Sequence, residues 1–143
     1  MTFRYKTTKR PDNTEVKIPS IPIKIFGEKE FSFDTFALLD SGADISVIPK
    51  KLGELLGLSL EGNKTIAFGI GGKVECVERK ITINISKGHK NYTFRMPVKI
   101  ILEEYNFPVL LGRHGFFDEF IITLDQGKQK IILKKVKNTI SQI

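Results

Sequence analysis

The sequence predicts an all-β protein, and three observations carry the prediction. Short apolar runs rich in Ile, Val, Phe and Thr recur along the chain, a composition that suits half-buried strands. Twelve glycines and six prolines fall among those runs and punctuate them as turns do. The 143 residues suit one domain, 1–143, whose core is large enough to fold without disulfides or a structural metal; no repeat or composition shift marks a second.

The elements follow in order. Residues 16–26 read as an extended segment held open by Pro19 and Pro22, and Gly27-Glu28-Lys29 is a turn into a second strand, 31–39. The phase of Phe31 and Phe33, then the unbroken Phe36-Ala37-Leu38-Leu39, says that this strand enters the core. After 45–48, Pro49 opens a short helix over 50–56, with Leu52, Leu55 and Leu56 on one face and Gly57 as its stop. Strands over 64–68 and 73–85 are joined through Gly69-Ile70-Gly71-Gly72 as a glycine-tipped hairpin. The 77–85 region pairs with 92–101 across Lys87-Gly88-His89-Lys90. The tail supplies 107–111, a turn or second short helix over 112–117, and strands 120–124 and 130–133 about Asp125-Gln126-Gly127.

Composition excludes several classes of function. No segment reaches the roughly 18 to 20 apolar residues that cross a bilayer, and the first residues carry charge without an apolar stretch behind it. A soluble, cytoplasmic protein with no membrane partner is expected, in a reducing compartment, because Cys76 has no intrachain partner. With one cysteine and two histidines, His89 and His114, there is no zinc spacing; no metal or cofactor is expected. Gly69-Ile70-Gly71-Gly72 precedes a strand, so it is no phosphate or dinucleotide loop. The net charge of +7 favours acidic partners in general. Its lysines are scattered and not interleaved with aromatics, so nucleic acid is not the expected partner.

The first unusual feature is Leu38-Leu39-Asp40-Ser41-Gly42-Ala43. It sets a carboxylate directly behind an apolar run, where burying its charge is costly unless partners compensate. Taken alone, Asp40 reads equally well as a capping residue before a turn.

Three motifs in order change that balance. Leu39-Asp40-Ser41-Gly42-Ala43-Asp44-Ile45-Ser46-Val47-Ile48 is similar to the active-site loop of the retropepsin family of aspartic proteases. Ala67-Phe68-Gly69-Ile70-Gly71-Gly72-Lys73-Val74 resembles that family's glycine-rich flap, and Val109-Leu110-Leu111-Gly112-Arg113 its apolar-apolar-Gly-Arg segment. The resemblance spans 31–117, and the tail beyond Phe117 is longer than the family's pattern.

The resemblance implies a closed β-barrel of the acid protease type with one or two short helices, working as a homodimer on an extended peptide or protein substrate. Asp40, Ser41 and Gly42 would form the catalytic loop. Ala43 and Asp44, with the flap residues Phe68, Gly69, Ile70, Gly71 and Gly72, would bind substrate. Ser46, Gly112 and Arg113 would support the site, Arg113 pairing with Asp44. The chain holds one Asp-Ser-Gly: Asp34-Thr35 runs into Phe36, and Asp125-Gln126 lacks the hydroxyl residue. A dyad therefore needs Asp40 of a second subunit. The ends, 1–10 and 134–143, are expected to be flexible or dimer-forming, with the first few residues disordered. The alternatives are a catalytically weak peptide-binding or dimerisation module of the same fold with a basic surface, and an enzyme that processes only itself or one dedicated partner.

Overall fold

Among the described residues are twelve strands and one short α-helix. The structure, a computed structural model, describes residues 1–69 and 72–137. In chain order the elements are β1 (Thr2–Arg4), β2 (Lys6–Lys9), β3 (Glu15–Ile18), β4 (Ser20–Phe26), β5 (Ser32–Leu39), β6 (Ser46–Ile48) and α1 (Lys50–Leu55). There follow β7 (Thr65–Gly69), β8 (Gly72–Lys87), β9 (Lys90–Ile101), β10 (Val109–Leu111), a 3-10 turn (Phe117–Glu119), β11 (Phe120–Asp125) and β12 (Lys130–Lys135).

Six of the strands close on themselves in the order β4-β5-β10-β6-β9-β8, and β8 returns to β4 through Lys24↔Asn84, Ile25↔Ile83 and Phe26↔Thr82. Closure gives every barrel strand a neighbour on both sides, although β10 covers β5 only over Ala37–Leu39. The sequence writes its interior by alternation. Ile21, Ile23 and Ile25 of β4, Ile81, Ile83 and Ile85 of β8, and Met96, Val98 and Ile100 of β9 are all buried, every second residue on each strand. Each such side chain contributes about 1.5–3 kcal/mol on leaving water. Among the described residues β7 pairs only with the start of β8, so this hairpin extends from the barrel.

Helix α1 begins after Pro49 and stops at Gly57, whose φ of +72° suits glycine. Glycine inside the helix also has a cause: a Cβ on Gly53 would meet Ile100 Cγ2 at 3.0 Å, so α1 lies hard against β9. Leu52 and Leu56 are buried as the apolar face requires, but Leu55 is exposed. At about 3.6 residues per turn Leu52 and Leu56 lie about 40° apart, whereas Leu55 stands about 100° around from Leu56, off the contact those two share.

Two other expectations are corrected. Phe31, Phe33 and Phe36 are exposed, whereas Ala37 and Leu39 are buried. β10 covers β5 only at Ala37–Leu39, so β5 enters the core at its last residues and Phe33 lies beyond the cover. Phe36 points to the opposite face, where the Lys6 ammonium sits 4.9 Å from its ring centre. The amino terminus is also ordered rather than disordered. β1 pairs with β12 at Thr2↔Ile132, Phe3↔Ile131 and Arg4↔Lys130, and Phe3 and Tyr5 are buried in the main core cluster. The apolar alternation Phe3, Tyr5 is too short to read as a strand before its partner is known. β12 pairs on its other side with β11, which makes a three-stranded sheet of the two ends of the chain. Of the carboxy-terminal tail, residues 138–143 lie outside the described residues.

Candidate active site

β5 delivers Asp40 into a turn that the residue closes with its own atoms. Gly42 N–H donates to Asp40 Oδ1 at 2.9 Å, and Ala43 N–H to the Asp40 carbonyl at 3.1 Å, an Asx-type turn. The Asp40 N–H in turn donates to the Leu111 carbonyl at 3.0 Å, so β10 holds the carboxylate-bearing residue at its backbone. A Cβ on Gly42 would stand 3.2 Å from Asp40 Oδ1; glycine leaves room beside the carboxylate. Asp40 is half-buried, not fully buried as the run before it suggests, because the loop leaves the barrel at this residue. Ser41 is exposed and Ala43 half-buried.

The loop is bolted to the segment after β10. Gly112 N–H donates to Ser46 Oγ at 2.9 Å, Arg113 N–H to the Ala43 carbonyl at 2.9 Å and His114 N–H to the Asp44 carbonyl at 2.7 Å. Ser46 is fully buried, and its hydroxyl has Met96 Sδ at 3.9 Å. The two backbones touch: a Cβ on Gly112 would lie 2.7 Å from the Ile45 carbonyl carbon and 2.9 Å from the Ala43 oxygen. Only glycine fits without moving main chain.

Arg113 adds a side-chain strut. Its Nη1 donates to the Ser41 carbonyl at 2.8 Å, and its Nη2 is 3.9 Å from Asp44 Oδ1. Both side chains of that ion pair are more than half exposed, 55% and 76%, so the charge attraction is screened and weak. The bond to the Ser41 carbonyl is the better-formed contact.

Asp40, Ser41, Gly42, Ala43, Asp44, Ser46, Gly112 and Arg113 thus gather in one bonded cluster. The flap residues belong to a separate hairpin, which no hydrogen bond among the described residues joins to the cluster. Phe68 pairs with Lys73 and Gly69 with Gly72, whose φ is +107°. Ala67 and Val74 are half-buried and share the face of the buried Cys76, whereas Phe68 is on the other face and 76% exposed. The Lys73 ammonium lies 5.7 Å from the Phe68 ring centre. Ile70 and Gly71 lie outside the described residues.

Two contributors carry no local signal. The Leu111 carbonyl acts through its backbone, and Met96 reaches Ser46 from fifty positions away; only the fold brings them in. Among the described residues no three His, Cys, Asp or Glu side chains are grouped to hold a metal ion, and no helix is long and apolar enough to cross a membrane.

A scan against protein families finds no match for the chain. No curated protein matches it in sequence. Among solved structures, a retropepsin-like aspartic protease from Rickettsia conorii shares the fold, with a TM-score of 0.58 over 93% of this chain and 98% of the other, at 16% sequence identity. The barrel is therefore of the retropepsin-like type, and the likeness concerns the fold.

Proposed function

We propose that the protein is an aspartic endopeptidase that works as a homodimer, with Asp40 of each subunit forming the catalytic pair. The observation that carries this reading is the anchoring of the Asp40-Ser41-Gly42 turn. Its carboxylate stays partly accessible while its backbone is tied to Leu111, to Gly112 through Ser46, and to Arg113. Such anchoring is what a pre-organised catalytic group needs.

The chemistry needs two carboxylates that share one proton about a water. The ionised carboxylate takes a proton from the water as its oxygen attacks the scissile carbonyl carbon. The protonated carboxyl donates to the carbonyl oxygen, giving a neutral gem-diol. The first carboxyl then gives its proton to the departing nitrogen while the second carboxylate takes one back from a gem-diol hydroxyl, which breaks the C–N bond, leaves a carboxylic acid and an amine, and restores the dyad. Ser41 and Gly42 would hold the two loops across the twofold axis, Ala43 and Asp44 would line the groove, and the flap from Phe68 to Gly72, including Ile70 and Gly71, would give the substrate main-chain partners.

A second copy also answers a feature of the terminal sheet. Leu124 of β11 is 44% exposed although its register partner Ile131 is fully buried, so the inner face of the sheet runs out of cover at this strand. β11, Phe-Ile-Ile-Thr-Leu-Asp, has no Lys or Pro to guard the edge that no described strand covers. Antiparallel pairing of two β11 strands would cover Leu124 and set the subunits about a twofold axis.

The test is cleavage of a mixed peptide library between about pH 4 and 7, where a dyad can hold one charge, by wild type and by Asp40→Asn. Cleavage by wild type that is lost in a variant still dimeric by sedimentation is the expected result. Full activity in Asp40→Asn would overturn the assignment. A dimer that cleaves nothing at any pH would favour a binding or dimerisation module, which the net charge of +7 would suit to acidic partners.

A further inference from the structure

Away from Asp40, a groove of about 500 Å3 opens between β5, α1 and the 104–109 segment. Three large apolar side chains with little cover gather there, Phe33 at 41%, Leu55 at 52% and Tyr105 at 55% exposed. Phe107 and Pro108 also line the groove. Isolated exposed apolar residues need no explanation, but a cluster lining a concavity of this size has the character of a binding site.

The backbone there is unpartnered as well. β10 pairs with β5 only at Ala37, Leu38 and Leu39. From Ser32 to Phe36, β5 has a strand partner in β4 alone among the described residues. Phe33 and Thr35 line the groove on this unpaired stretch. A strand edge beside apolar pockets is the arrangement that accepts an extended peptide by strand addition.

Charge narrows the ligand. Lys50 and Lys51 stand at the rim. Lys50 reaches across to Glu104 at 3.1 Å, a pair whose Glu is 76% exposed and is therefore easily exchanged for another carboxylate. Lys51 is exposed and has no ion pair among the described residues. All three walls lead to the site: β5 runs into Asp40, α1 follows β6, and the 104–109 segment runs into β10 and Gly112.

We infer that this groove is an exosite for the substrate, taking an extended segment remote from the scissile bond in which apolar side chains alternate with carboxylates. The inference rests on the peptidase reading for its purpose and on the groove alone for its binding. The apolar side chains would enter beside Phe33 and Leu55, the main chain would add to β5, and a carboxylate would meet Lys51.

The test uses full-length Asp40→Asn protein and a fluorescein-labelled peptide of about ten residues with alternating Leu and Glu, followed by anisotropy. Controls alternate Leu with Lys and Ser with Glu. Lys51→Glu and Leu55→Glu change exposed side chains and are each expected to weaken binding of the Leu-Glu peptide about tenfold, with unchanged circular dichroism. The two controls should bind at least as weakly. No binding, or binding that neither variant alters, would overturn the exosite. In the cleavage assay of the wild-type protein, groove binding without cleavage of any library peptide would remove the peptidase reading and leave the groove as a peptide site; cleavage without groove binding would remove only the exosite.

Discussion

Replacing Ser46 by Ala isolates the bolt between the Asp40 loop and the segment after β10. The side chain is fully buried, and its oxygen accepts the Gly112 N–H at 2.9 Å. Removing that oxygen strands a buried donor, because Gly112 is packed against the Ala43 and Ile45 backbone and its N–H is aimed at Ser46. An unsatisfied buried N–H costs about 1–3 kcal/mol. The lost contact to Met96 Sδ at 3.9 Å is weak, and deleting one oxygen leaves too small a space for a large cavity penalty. Ser46→Ala should therefore lower stability by about 1–3 kcal/mol, which for a domain of this size moves Tm down by about 3–10 °C. Urea unfolding followed by circular dichroism reads it as a lower midpoint with an unchanged slope. A loss under about 0.5 kcal/mol, the range of ordinary surface substitutions, would show that Gly112 finds another acceptor and that the bolt is not structural.

Four further outcomes are expected. Gly112→Ala must push apart main chain 2.7 Å away and should cost at least about 1–3 kcal/mol; a neutral result in the same unfolding assay would mean that the two loops can separate freely. Phe3→Ala should cost about 3–5 kcal/mol, because Phe3 is 4% exposed in the core cluster, and amide exchange should show β1 protected; a loss below about 1 kcal/mol would put the amino terminus outside the cooperative fold. Asp44→Asn should change stability by less than about 0.5 kcal/mol, since its ion pair is exposed, while Arg113→Ala should cost about 1 kcal/mol by losing the bond to the Ser41 carbonyl; equal effects would contradict that ranking. The Asp12 carboxyl is held below its ordinary 3.8 by hydrogen bonds from the Thr14 hydroxyl and then the Thr14 N–H. Its small stabilisation is present above the unfolded value and lost as pH falls through the folded one. Thr14→Val should raise the Asp12 midpoint toward 3.8 in an NMR titration, and an unmoved midpoint would reject the hydroxyl as the cause.

The exposed face of the Asp40 turn and its anchoring differ in how far sequence could reveal them. Asp40-Ser41-Gly42-Ala43 and Gly112-Arg113 were legible as motifs, because each is a run of particular residue types in a fixed order; that Arg113 bonds the Ser41 carbonyl and that Gly112 touches the Ala43–Ile45 backbone was not. The hairpins from β7 to β9 were legible for a similar reason, since alternation and glycine-bearing turns are local properties.

Long-range contacts were not legible. That Phe3 is core and Phe33 is not depends on β12 covering the first and β10 stopping short of the second, and both aromatics sit in similar alternating runs. Met96 and the Leu111 carbonyl join the site through the parallel pairings of β6 with β9 and of β5 with β10, which no spacing encodes. The sequence by itself determined which residues could carry chemistry and the local shapes they prefer. The tertiary structure alone decided which of them are covered, which strand edges stay open and which distant atoms complete the loop, because burial and pairing belong to the partner that arrives and not to the residue that waits for it.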